Sequence, residues 1–464
     1  MITAIRVFLT NDSLAARWSR TAGWTTIGFG VGLALRFGSN LILNRLLFPE
    51  AFGLMALVLV LMIALAMFSD IGIQTSIIQS KRGDDIDFLD TAWTLQVIRG
   101  VGLWFGACLL AWPAAKFYNE PLLGQMLPVA ALSMLVSGFT PARIDTAHRR
   151  LMFGRSTALD LASQTIGIAI MLLLAWLTRS IWSIVVGSLV ISSAKLMLAP
   201  FIMPGRRNRF RWERSAVREL VNFGGWIFLS TVAGFIVVQI DKIALGKYLS
   251  LELFGIYSIA AALAGMPIAL GSSIALRSLI PLYRERPPSA SLENYQRIRQ
   301  LRFGLTGALM TMVLLVAFLG STIISALYDP RYAAAGAIVT LLACTQIPQI
   351  IMLSYDQAAL AAADSRSFFY VIAIKGTAQV IFFLAGVHYG GLIGGLAGQT
   401  IAWLASYPAV VWVARRYGAW DPLHDICFAI AGFGLGAFAI WLNLDAISSL
   451  ATFGTASLAI WSAT

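Results

Sequence analysis

Runs of about twenty apolar residues, separated by short polar stretches, recur from one end of the chain to the other, and each is long enough to cross roughly 30 Å of hydrocarbon as a helix. Helices are the expected form because they satisfy their own backbone hydrogen bonds where no water is present. The pattern predicts spans at 22–44, 51–79, 91–112, 122–140, 157–178, 181–203, 222–246, 253–281, 301–327, 333–355, 368–387 and 391–413, and two tighter ones at 423–443 and 446–462. The expected fold class is all-α and polytopic, with 12–14 membrane helices and no soluble domain of any size. Residues 1–20 alternate polar and apolar positions and carry Arg6, Arg17 and Arg20. They lack an apolar h-region and a small-residue cleavage site, so they predict an amphipathic helix leading into the first span rather than a signal peptide.

Composition agrees: 58% of the 464 residues are hydrophobic and 12% charged, against about 45–50% and about 25% in soluble domains. Charge then orients the chain. Of the 34 Lys and Arg residues, 23 fall in alternate segments that share one side of the membrane and 5 on the other. The basic side is expected to be cytoplasmic, with the N-terminus inside. An anionic inner leaflet accounts for the net charge of +12 without nucleic acid.

Candidate chemistry is sparse. Cys108, Cys344 and Cys427 lie within hydrophobic runs and form no disulfide framework or zinc pattern. His148, His388 and His424 are scattered at loop positions without metal-ligand spacing. No GxxxxGK[ST], G-x-S-x-G or H-E-x-x-H occurs, so no cofactor, metal or enzymatic site is expected. The acidic stretch DDIDFLD at 84–90 reads as a solvated inner loop rather than a metal-bound diphosphate site.

The chain repeats itself. AGWTTIGFGVGLALRFGSNLILNRLLFPEAFGLMAL aligns without a gap on GGWIFLSTVAGFIVVQIDKIALGKYLSLELFGIYSI, matching Gly23–Trp24 with Gly225–Trp226 and Glu50, Phe52 and Gly53 with Glu252, Phe254 and Gly255. Six spans separate the copies, so both enter the membrane in the same direction. The implied domains are two parallel six-helix bundles, 1–210 and 211–420, and a C-terminal pair of spans at 421–464, with the basic stretch 204–219 as the boundary. Transporters built from such repeats bind substrate between them.

Ionisable residues at bilayer depth cost about 2.5–3.5 kcal/mol on insertion scales and mark functional sites by default. Six basic ones lie within spans: Arg36, Arg99, Lys195, Lys242, Arg277 and Lys375. Arg36, Asn40 and Asn44 recur at i, i+4 and i+8 and share one face of the first span. Lys195 and Arg277 also read as snorkelling residues, Asp70 and Asp356 as caps near inner helix ends, and Asp241 and Lys242 as an interhelical clamp or outer anchor.

Three stretches carry a resemblance: RFGSNLILNRLLFPEAFGLMALV with the FSDIGIQTSIIQ and LDTAWTLQVIRG that follow it, QIDKIALGKYLSLELFGIYSIAAALAGMP, and LYDPRYAAAGAIVTLLACTQI. Over residues 20–415 the chain resembles the polysaccharide transporter family, the Wzx-type lipid-linked oligosaccharide flippases of the MOP (MATE-like) superfamily. The resemblance implies two MATE-like bundles around a cationic cavity that opens alternately to each side of a bacterial inner membrane. It implies as substrate an undecaprenyl-diphosphate-linked oligosaccharide, moved from the inner to the outer leaflet for exopolysaccharide, capsule or O-antigen assembly. The implied partners are membrane lipids, a polysaccharide polymerase and a chain-length regulator. Candidate substrate-binding residues are Arg36, Asn40, Arg99, Asp241, Lys242, Arg277 and Lys375. Asp70 and Asp241 are candidates for coupling to H+ or Na+. Two alternatives stand beside this reading, a cation-coupled MATE-type multidrug exporter and a membrane polysaccharide polymerase.

Overall fold

The computed structural model describes the backbone of residues 14–450, apart from 71, 150, 151 and 363. The predicted span at 446–462 and the N-terminal amphipathic helix lie largely outside the described residues. The first helices are α1 (Leu14–Leu46), α2 (Pro49–Phe68), α3 (Ile73–Gln79), α4 (Ile86–Tyr118), α5 (Pro121–Gly138), α6 (Arg143–Arg149), α7 (Phe153–Thr178) and α8 (Trp182–Ile202). They are followed by α9 (Arg214–Tyr248), α10 (Leu251–Ala264), α11 (Met266–Ile274), α12 (Ile280–Glu285) and α13 (Leu292–Leu327). The last are α14 (Ala334–Thr345), α15 (Ile347–Met352), α16 (Asp356–Ala361), α17 (Ser365–Arg416) and α18 (Pro422–Leu442). Among the described residues nine helices are long and apolar enough to cross a membrane, or ten if the bent pair α10–α11 is one span. The element α17 holds two predicted spans, and α1 and α9 correspond to the first and seventh.

Several starts follow from sequence chemistry. Asp85, Ser250, Ser291, Asp364 and Asp421 each accept a backbone N–H in the first turn of the helix they open, which satisfies donors that have no partner inside the helix.

Three spans expected to be continuous are broken. The predicted 51–79 span ends at Phe68, and α3 restarts after Gly72, whose φ of 66° suits glycine. The 253–281 span bends by 40° between α10 and α11, then passes through a π-helical turn, Ala275–Leu279, into α12. Pro267 and Pro281, each at the start of a new segment, remove the backbone donors that continuity would need. The 333–355 span is divided into α14 and α15, with α16 just beyond. In α17 the reverse occurs: the limbs turn at Gly390–Gly391, with φ of 55° at Gly391. A Cβ at Gly386 or Gly394 would run into the other's carbonyl.

The described chain forms two compact units, Met1–Leu47 with Leu61–Phe228, and Phe48–Val60 with Leu229–Thr464. The basic stretch 204–219 therefore belongs wholly to the first unit. Within that unit α4 packs along α5, α7 along α8, and α1 along α7. Gly100 and Gly138 let α4 and α5 meet closely, since a Cβ on Gly100 would sit 2.9 Å from the Gly138 Cα. In the second unit α13 and α14 pack together and α18 covers α13, around a core that includes Leu309, Met310, Val313, Ile347 and Ile350.

Two residues matched in the sequence alignment meet in the second unit. Gly53 at the start of α2 faces Gly255 in α10, the residue its own alignment names as its counterpart. A Cβ on Gly53 would collide with the Leu251 carbonyl, and one on Gly255 with the Pro49 carbonyl. Beside this contact Phe52 meets Tyr332 edge-on at 6.1 Å, and Arg331 lies 5.0 Å over the Phe48 ring. Gly255→Leu is expected to destabilise the protein by about 1–3 kcal/mol, as overpacking does. A lowered melting temperature of the detergent-solubilised variant is the measurement that checks it.

Candidate functional site

The predicted cations divide between the units, and their surroundings differ. In the first unit Arg36 and Asn40 are exposed on α1, whereas Asn44, expected on the same polar face, is fully buried. Among the described residues the Arg36 guanidinium has no ion-pair partner. Arg99 lies thirteen residues after the start of α4, about 20 Å along its axis. It is half-buried, donating from Nε to the Ser69 Oγ at 3.0 Å and from Nη2 to the Ala66 carbonyl at 2.8 Å. Asp70 lies near enough to interact electrostatically, and its own carboxylate accepts the Gly72 N–H at 3.0 Å. The break after α2 thus supplies Arg99 with a hydroxyl, a free carbonyl and a nearby carboxylate, while the rest of its fork has no partner among the described residues. Lys195 does not snorkel free; it pairs with Asp160 at 2.7 Å.

In the second unit the charges are largely satisfied from within. Asp241 is buried and accepts the Tyr257 hydroxyl at 2.6 Å. It therefore acts as the interhelical clamp, joining α9 to α10. Lys242 donates to the Gln239 Oε1 at 3.2 Å and lies 3.9 Å from Asp241. Lys375 is 4% exposed, reaches both oxygens of Asp356 at 2.7 Å and lies 5.7 Å over the Trp403 ring. It stands as the neutralised half of a buried ion pair, and Asp356 is its partner rather than a cap. Arg277 falls on the π-helical turn, and its side chain lies outside the described residues.

Sequence reasoning missed a buried cluster in the second unit. His424, expected in a loop, lies inside α18 with no exposure, Nδ1 2.8 Å from Asp425 and Nε2 2.9 Å from the Thr306 hydroxyl. Asp425 also accepts the Tyr355 and Tyr407 hydroxyls at 2.7 and 2.5 Å. Arg302, assigned to an inner loop, is 1% exposed in α13, donates to Tyr283 at 2.9 Å and lies 4.5 Å over the Tyr355 ring. Arg299 pairs with Asp421 at 2.8 Å. The one available signal was Asp421–Pro422, a helix start that draws His424 and Asp425 into the first turn of α18.

The acidic stretch 84–90 is also more than a solvated loop. Each acid meets an arginine: Asp84 with Arg149 at 3.1 Å, Asp85 with Arg82 at 2.6 Å, Asp87 with Arg211 at 2.8 Å and Asp90 with Arg206 at 2.5 Å. Arg82 reaches Glu213 as well, at 2.8 Å. Its hydrogen bonds hold the Asp85 and Glu213 carboxyls below their usual range. Among the described residues no cluster of His, Cys, Asp and Glu could hold a metal ion. A groove of about 700 Å³ where the C-terminal end of α4 meets the N-terminal end of α5 is lined by residues that include Cys108, Trp112, Lys116, Gly124 and Pro128, and contains none of the predicted binding residues.

Residues 42–335 match the sequence profile of a family described as polysaccharide biosynthesis protein. The chain belongs to that family. It is 25% identical over 310 residues to the succinoglycan biosynthesis transport protein ExoT of Rhizobium meliloti (strain 1021), a match covering 65% of this chain and 62% of that protein. It is 24% identical over 271 residues to the lipopolysaccharide biosynthesis protein WzxC of Escherichia coli (strain K12), covering 58% and 53%. The matches thus span a little over half the length of these relatives. Among solved structures the fold is similar to the lipid II flippase MurJ in an inward closed conformation, with TM-score 0.65, 13% identity, and 93% of this chain and 98% of that one covered. It is also similar to an inward-facing multidrug resistance MATE transporter of the MOP superfamily, with TM-score 0.57, 15% identity, and 82% and 94% covered. The MATE-like fold expected from the sequence is therefore present.

Two outcomes follow. Lys375→Ala strands the Asp356 carboxylate and is expected to cost about 3 kcal/mol, while Lys375→Met with Asp356→Asn recovers most of it. Melting temperatures of the three proteins provide the check. Asp85 and Glu213, with depressed pKa values, contribute fully above the ordinary carboxyl range of about 4 and lose that contribution as pH falls through their folded values. Hydrogen exchange at the Arg211 and Glu213 amides, corrected for its intrinsic pH dependence, is expected to be unchanged down to about pH 4 and to accelerate on acidification below it.

Proposed function

We propose that the protein is a flippase, moving an undecaprenyl-diphosphate-linked oligosaccharide from the inner to the outer leaflet of a bacterial inner membrane, with its N-terminus in the cytoplasm. The observation that carries this reading is that Arg36 and Arg99, on spans of the first unit, keep guanidinium groups without an ion-pair partner among the described residues. A diphosphate supplies the anion. An arginine fork makes paired, charge-assisted bonds to it that a lysine cannot reproduce. Arg99 takes the diphosphate first, nearer the cytoplasmic side, and Arg36 with Asn40 holds it at mid-membrane as the site becomes exposed to the outer face. Lys375 acts through its pair with Asp356, and Asp241 through its clamp on Tyr257. The names of the matched relatives, a succinoglycan transport protein and a lipopolysaccharide biosynthesis protein, and the fold shared with a lipid II flippase support this reading.

Transport is coupled to H+ or Na+, with Asp70 the carboxylate best placed, because it lies near enough to Arg99 to interact with its charge. The translocated repeat unit passes to a polymerase and a chain-length regulator. The protein makes and breaks no covalent bond in this scheme. The multidrug-exporter reading shares the fold but needs carboxylates facing the substrate, whereas Asp241 and Asp356 are engaged by Tyr257 and Lys375.

Arg36→Ala and Arg99→Ala are each expected to reduce surface polysaccharide at least about tenfold, the cost of losing one charge-assisted bond pair, at unchanged membrane abundance. Arg→Lys at either position should restore only part of it. Normal polymer output from the double alanine variant removes both residues from the mechanism.

A further inference from the structure

The segment 204–213, between α8 and α9, has no helix, yet it is fixed to the first unit residue by residue. Asp90 binds Arg206 at 2.5 Å, the Asn208 amide at 3.1 Å and the Arg209 backbone N–H at 3.2 Å. The Arg211 N–H donates to the Thr94 hydroxyl at 3.0 Å and the Glu213 N–H to the Thr91 hydroxyl at 3.2 Å. Asn208 Oδ1 accepts the Ala142 N–H at 3.0 Å. The backbone N–H groups of 209, 211 and 213 all turn toward α4, so the chain runs along it as an extended strap.

What this strap presents outward is unusual for a loop in water. Phe210 is 67% and Trp212 56% exposed, with the Phe210 ring tilted by 46° against Trp93 at 4.9 Å, whose indole N–H donates to the Phe139 carbonyl at 3.2 Å. Arg207, Arg209, Arg214 and Arg218 are exposed and have no ion-pair partner among the described residues. Behind them Arg143 is buried and its Nε has no hydrogen-bond partner. Burial and the neighbouring Arg207 charge lower its pKa, and its Cβ packs close to Gly205. Phe139 and Met203 end the spans α5 and α8, so the strap lies level with one membrane surface.

We infer that this strap is a docking surface for anionic phospholipid headgroups of the cytoplasmic leaflet. Fixed aromatic rings with one apolar body and one wet edge belong at that depth. The unpaired arginines and the Arg143–Arg207 pair leave a local positive excess that lipid phosphates neutralise, each basic residue near an anionic surface being worth about fivefold in affinity. Charge complementarity with a phosphate-bearing surface decides for lipid. A protein partner would use the same aromatics but leaves the arginine excess unexplained.

Trypsin, which cuts after arginine, reports occupancy directly. The full chain is placed in nanodiscs of phosphatidylcholine alone, or with one third phosphatidylglycerol, and cleavage after Arg207, Arg209 and Arg211 is followed by mass spectrometry. Cleavage is expected to slow at least about fivefold in the anionic discs and to recover in high salt. The Phe210→Ser/Trp212→Ser and Arg207→Gln/Arg214→Gln variants should lose that protection, read at the Arg209 and Arg211 sites that both retain, at unchanged melting temperature. Equal cleavage in both disc types, or protection that survives high salt and both variants, overturns the proposal. Protection that appears only when cytosolic protein is added also overturns it and assigns the surface to a protein. None of these readouts depends on transport, so the flippase reading stands or falls separately.

Discussion

A charge removed from water must find an opposite charge or a hydrated space, and nearly every polar feature of this protein follows from that constraint. Within the second unit it is met internally: Lys375 by Asp356, Arg299 by Asp421, and Asp241 by the Tyr257 hydroxyl. In the first unit the acids of 84–90 pair with arginines, while Arg99 is met by the Ser69 hydroxyl, the Ala66 carbonyl and the nearby Asp70 and the exposed Arg36 has no ion-pair partner among the described residues. Among the described residues the two units therefore differ in how their buried charges are met rather than in how many they carry.

The helical, membrane-spanning character of the chain was legible because it rests on a local signal, apolar run length. Breaks inside spans were less so. Gly72, Pro267 and Pro281 are ordinary residues for a membrane helix, and only their neighbours decide whether they bend a helix or end it. The charged candidates were legible as positions within spans, but their partners were not. Nothing local distinguishes Lys375, whose carboxylate lies nineteen residues away, from Arg36, which has no partner among the described residues.

His424 shows the same limit from the other side. It reads as a loop residue because Asp421, Pro422 and Asp425 surround it with polarity. Its ring is met by Thr306, Phe303 and Tyr355, contributed by distant segments. The cluster holds α18 against α13, so a helix beyond the two repeats is fastened by ionic and hydroxyl groups as well as by apolar packing. Such a network is costly to leave half-made, and each of its members constrains the rest.

The Gly53–Gly255 contact carries a consequence of a different kind. Gly53 lies against the Leu251 carbonyl and Gly255 against the Pro49 carbonyl, so each contact is made with backbone rather than with a side chain. A neighbouring side chain can change rotamer to admit a new group, but a carbonyl held in a helix cannot. Any side chain added at either glycine must therefore be absorbed by moving α2 and α10 apart as whole bodies, and the spacing of these two helices is fixed at that one point.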